Sequence, residues 1–166
     1  FFFKQKTAYE IGTGDWSSDV CSSDLPYLWD PVAAQACIAA GEGTEVSIDA
    51  GGRSSERAGT PVRLEGRVLY AGVKVFTGTG PMRRGRRIDL GPSALVDAGG
   101  IVVSIVSHPT TAIDLDPFTQ FGLTVDDFRL IVLRSKTHFR AVYEPLASAI
   151  LIVDTPDWGT AALSTL

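Results

Sequence analysis

The chain has 166 residues, 45% of them hydrophobic and 20% charged, enough for one domain with its own core and incompatible with a disordered polymer. Its formal net charge of -4 gives no electrostatic reason to expect nucleic acid or an anionic membrane surface as a partner. Two cysteines cannot make a disulfide framework, and two histidines, His108 and His138, cannot by themselves build a His-rich metal site.

Residues 1–25 (FFFKQKTAYEIGTGDWSSDVCSSDL) show neither a helical nor a strand period. They fail as a secretory signal, because the aromatics precede Lys4 and Lys6 and no apolar segment follows. KQKTAYEI and GDWSSDVCSSDL resemble the translation of a sequencing adapter. The segment is therefore set aside as an assembly artefact, disordered or irregular, and the domain is taken as residues 26–166.

From there the elements follow in order. Asp30-Pro31 predicts a helix start, with Asp at the cap and Pro at the first position, running through VAAQACIAA to Gly41. Its small residues Ala33, Ala36, Cys37 and Ala40 imply close packing on a sheet. Residues 44–49 alternate Val46 and Ile48 with polar neighbours and predict a strand. The clearest strand is 62–70, where Val62, Leu64, Gly66, Val68 and Tyr70 point one way and Arg63, Glu65 and Arg67 the other. Short strands are predicted at 73–76 and 88–96, joined by the TGTGPMRRGRR segment. IVVSIV (101–106), LIVL (130–133) and AILIV (149–153) are continuous apolar runs of the kind buried on both faces. Asp116-Pro117 opens a short helix between the first two runs. Phe139, Val142, Tyr143 and Leu146 fall at helical spacing between the second and third, with Pro145 kinking or ending that helix. The expected fold is mixed α+β: antiparallel strands followed by β-α-β-α-β with buried central strands, in a single domain.

The stretch LIVLRSKTHFRAVYEPLA places Lys136, His138 and Arg140 in the first turns of a helix that Ser135 or Thr137 can cap. Cations there oppose the helix dipole by about 0.3 to 1 kcal/mol each. Two readings are open: an anion held by free N–H groups and cationic side chains, or a surface pair between Arg140 and Glu144 at i,i+4. In GPMRRGRR, four arginines in five residues read either as a solvated loop or as a phosphate or partner-domain patch. Asp114 and Asp116 are expected to cap the helix that follows them. Cys37, mid-helix among alanines, reads as an inert buried thiol.

RSKTHFRAVYEPLA resembles the KS-x-x-HFRA-x-F-x-P-x-A signature of the C-terminal domain of microcystinase C (MlrC)-like metallopeptidases. DPVAAQACIAAGEGTEVSIDAGG, TPVRLEGRV, GPMRRGRRIDLGPSALV, TAIDLDPFTQFGLTVDDFRLIVL and ILIVDTPDWG follow that domain's order, so the resemblance covers essentially all of residues 26–166. Arg134 replaces the motif's lysine, His108-Pro109 stands where a basic residue is frequent, and Asp157 occupies a usual glycine position. The resemblance implies a domain truncated at its C-terminal end, from a zinc-dependent peptide-bond hydrolase. The zinc ligands of that hydrolase lie in a larger N-terminal domain absent from this chain, so no catalytic and no metal residue is assigned here and the fragment alone is expected to be inactive. Substrate-binding or interdomain roles fall to Ser135, His138 and Arg140, with Arg134 and Lys136 secondary. The implied partners are the N-terminal zinc-binding domain and a peptide-like substrate, with homo-oligomerisation open and neither nucleic acid nor membrane expected. An interdomain or oligomerisation module and a small-anion-binding module are the alternatives. With no signal peptide or spanning segment visible, a cytoplasmic location is expected.

Overall fold

A computed structural model describes residues 23–53, 59–133 and 138–151. Six strands form one sheet in the order β2-β3-β4-β5-β1-β6. They are β1 Ser23–Trp29, β2 Glu45–Ala50, β3 Val62–Thr77, β4 Arg87–Asp97, β5 Ile101–Val106 and β6 Leu130–Ile131. β2 through β5 are antiparallel neighbours, whereas β1 lies parallel to both β5 and β6. The mixed α+β expectation is met.

Helix α1 (Pro31–Ala40) starts as the sequence predicts: Asp30 is extended and its carboxylate accepts from the backbone N–H groups of Val32 and Ala33. That satisfies two of the donors a helix start leaves open. The buried face is Ala33, Ala34 and Cys37, not the Ala36 and Ala40 face, because α1 lies on Val68, Ala94, Val96, Val103 and Ile105. Small side chains let the helix backbone approach the sheet closely. The opposite sheet face carries a more aromatic core of Tyr27, Leu90, Val106, Phe118, Ile131, Leu133, Phe139 and Tyr143. Helices α2 (Asp116–Thr119) and α3 (Arg140–Tyr143) contribute Phe118 and Tyr143 to it. Burial of a side chain such as Phe118 contributes about 1.5 to 3 kcal/mol.

Several sequence expectations need correction. Residues 62–70 and 73–76 are one sixteen-residue strand, β3, because β4 pairs along most of its length with two register shifts rather than a break. The run at 130–133 keeps only two strand residues, and Ala149 to Leu151 carry no strand, while 152–153 lie outside the described residues. The predicted helix over 139–146 shrinks to the four residues of α3, which ends just before Pro145. β1, between β5 and β6, was not predicted, and it begins at Ser23 inside the segment set aside as adapter-like. A proline within a strand ordinarily argues for an edge. Here Pro26 falls where the β1–β5 register shifts, between Leu25 and Leu28, so the missing N–H coincides with an irregularity.

Candidate functional site at the carboxyl ends of β1, β5 and β6

The three parallel strands β1, β5 and β6 end on the same edge of the sheet, the edge at which open α/β sheets place ligands. The antiparallel β3 also ends there and β4 begins there. This rim therefore gathers Asp30 after β1, Ser107 and His108 after β5, and the 78–86 connection between β3 and β4.

Asp30 is fully buried. One carboxylate oxygen caps α1, and the other accepts from Gly51 N (2.8 Å) and from the Arg53 guanidinium. Its own backbone N–H donates to Val106 O at 3.0 Å. One side chain thus ties together the ends of β1 and β2 and the start of α1. Beside it, Trp29 Nε1 donates to Ser107 O at 3.0 Å. His108 lies over Gly91, where a Cβ would stand 3.0 Å from the ring. Its Nδ1 is 3.2 Å from Asp89 O and 3.5 Å from Asp89 Oδ1.

The 78–86 connection is built rather than loose. Thr79 donates its N–H to Asp116 at 3.1 Å and its hydroxyl at 2.6 Å. Met82 N and Arg83 N donate to Asp114 at 3.2 and 2.9 Å. Both carboxylates are buried, 1% and 4% exposed. A Cβ on Gly80 would stand 2.2 Å from the Asp114 carboxyl carbon, so only glycine allows this approach. The Arg83 guanidinium reaches Thr110 and Thr111 hydroxyls at 2.7 Å each, and Tyr143 donates its hydroxyl to Asp114 O at 2.6 Å. Asp114 and Asp116 therefore hold the arginine-rich loop; α2 has Leu115 at its cap and no side-chain capping bond, which corrects the capping expectation.

Of the residues singled out from sequence, Arg134, Ser135 and Lys136 lie outside the described residues. His138 is exposed. Arg140 pairs with Glu144 at 3.3 Å and packs over Phe139. A four-residue helix has almost no macrodipole to oppose, so the expected dipole conflict at Arg140 does not arise, and its guanidinium makes the i,i+4 surface pair. Burial, reinforced by the Asp30 carboxylate, pushes the Cys37 thiol up to about 11, which keeps it protonated and unreactive at neutral pH. Among the described residues no three His, Cys, Asp or Glu side chains are grouped to hold a metal ion. Asp30, Asp114 and Asp116 already direct their oxygens at backbone N–H groups, so these residues do not fit a zinc site. No helix among them is long and apolar enough to cross a membrane.

The sequence reading missed the Asp30–Arg53 clasp and the Asp114/Asp116 braces. The signals for the braces were the glycines of residues 78–85 and the D-x-D-P spacing, which acquire meaning only when the two loops are adjacent.

Comparison with known proteins agrees with this architecture. Microcystinase C of Sphingomonas sp is 22% identical over 136 residues, covering 82% of this chain and 26% of that protein. The crystal structure of a Mesorhizobium sp. BNC1 protein named as a metallopeptidase superimposes with a TM-score of 0.73 at 22% identity, over 85% of this chain and 28% of that one. The chain thus spans about a quarter of the length of these relatives. The family described as MlrC C-terminus matches residues 24–166, and the chain belongs to that family.

Proposed function

We propose that residues 24–166 act as the C-terminal module of an MlrC-like peptidase, supporting a separate catalytic domain and forming one wall of its substrate cleft. The observation that carries this reading is the family match over residues 24–166 combined with a polar rim at the carboxyl ends of β1, β5 and β6. Asp30, His108 and the braced 78–86 loop lie on that rim. In this reading zinc belongs to the catalytic domain. The module fixes the position of a peptide through cationic and hydrogen-bonding groups, which lowers the entropy lost on reaching the reactive geometry. Ser135, His138 and Arg140, with Arg134 and Lys136, are the proposed contacts to the substrate or to the neighbouring domain.

A chimera tests this. Residues 24–166 replace the matching region of the Sphingomonas Microcystinase C, and turnover of that enzyme's own substrate is measured. Retained turnover that disappears when the module is deleted is the expected result. His138→Ala with Arg140→Ala in the chimera raises KM about tenfold and leaves kcat within about twofold if these residues position substrate. Unchanged kcat/KM on deleting the module overturns the proposal.

A second reading, an assembly module, is favoured by one feature of β3. β2 pairs with β3 only as far as Arg67. Beyond it β3 exposes Leu69, Val73 and Val75, 44%, 67% and 39% accessible. A strand edge of this kind invites pairing with another chain. Sedimentation of the 166-residue chain separates the readings: a monomer at all accessible concentrations removes the second.

A further inference from the structure

The TGTGPMRRGRR segment is not accounted for by any role above. A plain link between the antiparallel strands β3 and β4 needs only two to five residues, yet the chain uses nine, 78–86. Three of its backbone N–H groups and the Thr79 hydroxyl are directed at the buried carboxylates of Asp114 and Asp116. Internal bonds close it further: Gly85 N to Gly78 O and Gly78 N to Arg86 O, both 2.9 Å, and Arg86 N to Arg83 O at 3.0 Å. Gly78 is as constrained as Gly80, since a Cβ there would stand 2.3 Å from Arg83 O. A solvated arginine loop has no need of such bracing, because exposed guanidinium groups are stable in water in any conformation.

The bracing leaves charge unused at its tip. Arg83 is engaged with Thr110 and Thr111, while Arg84 and Arg86 are exposed and make no ion pair among the described residues. Arg87 is 71% exposed and only loosely paired with Asp89, at 3.6 Å. Two guanidinium groups on the braced turn, Arg84 and Arg86, and a third on the first residue of β4, Arg87, are thereby held at the ligand-accepting edge of the sheet. Each presents a planar fork suited to a carboxylate, and fixing the turn beforehand lowers the ordering cost of binding.

We propose that Arg84, Arg86 and Arg87 form a binding site for a peptide segment bearing clustered carboxylates. The choice of carboxylates over phosphates rests on the peptidase-module reading above; the rigid cationic turn does not. The test uses fluorescein-labelled hexaglutamate and the 166-residue chain, read by fluorescence polarisation. Saturable one-to-one binding is expected, weakened about tenfold by Arg84→Ala with Arg86→Ala and weakened by added salt. Arg84→Lys with Arg86→Lys falls between, since charge is kept and the fork is lost. Arg63→Ala with Arg67→Ala removes the same charge from the outer face of β3 and leaves binding unchanged. Matching melting midpoints exclude unfolding as the cause. No saturable binding, or equal weakening by the two Ala pairs, overturns the site. Binding of tripolyphosphate without hexaglutamate overturns the carboxylate assignment. Failure of the chimera leaves these measurements standing, so the two proposals fail separately.

Discussion

Two connections do the same geometric job at opposite ends of the sheet. At one end β4 turns into β5 through three residues, 98–100, with Gly99 and Gly100 at positive φ and Asp97 Oδ1 accepting from Gly100 N at 2.8 Å. At the other end β3 turns into β4 through nine residues held by two buried carboxylates. The short turn is what strand pairing alone requires. The long one buries charge, which is unfavourable unless every oxygen is matched by donors, and it does so at the edge where β1, β5 and β6 end. The difference teaches that the elaborate end of this sheet answers to something other than closing a hairpin.

Substitutions at the two ends sharpen the contrast. Asp30→Ala removes the acceptor for Val32 N, Ala33 N, Gly51 N and Arg53, and is expected to lower stability by about 3 to 5 kcal/mol, measured by urea denaturation. Asp114→Ala strands Met82 N and Arg83 N beside a buried site and costs about 2 to 3 kcal/mol; hydrogen exchange should rise across residues 78–86 and stay unchanged at 98–100. Asp97→Ala at the short turn loses one part-buried bond and costs about 1 kcal/mol. If Asp97→Ala proves as costly as Asp114→Ala, the contrast between the ends fails. Smallest of all, Arg140→Ala breaks an exposed i,i+4 pair and lowers the unfolding free energy from the same urea denaturation by about 0.3 to 0.5 kcal/mol.

Local chemistry made much of this legible. The Asp30-Pro31 cap, the alternation through 62–70 and the apolar run 101–106 each name an element whose own residues suffice to specify it. The candidate site was harder to read. Arg140 was correctly paired with Glu144 in one of the two open readings, since that contact is one helical turn long. Asp114 and Asp116 were read as caps, because capping is the nearest use for a carboxylate before a helix, whereas their donors lie more than thirty residues earlier in the chain.

The sequence by itself determined the fold class, the start of α1, the inert state of Cys37 and the family, all of which depend on residues close together or on motif order. Only the tertiary structure decided that β1 enters between β5 and β6, that β3 is continuous, and that an arginine-rich loop is rigid. Each of these depends on a partner distant in sequence: Val103 and Ile105 for β1, β4 for the full length of β3, and two aspartates beyond β5 for the loop. Periodicity and capping report a residue's neighbours along the chain. The burial of a carboxylate reports what the folded chain brings to it.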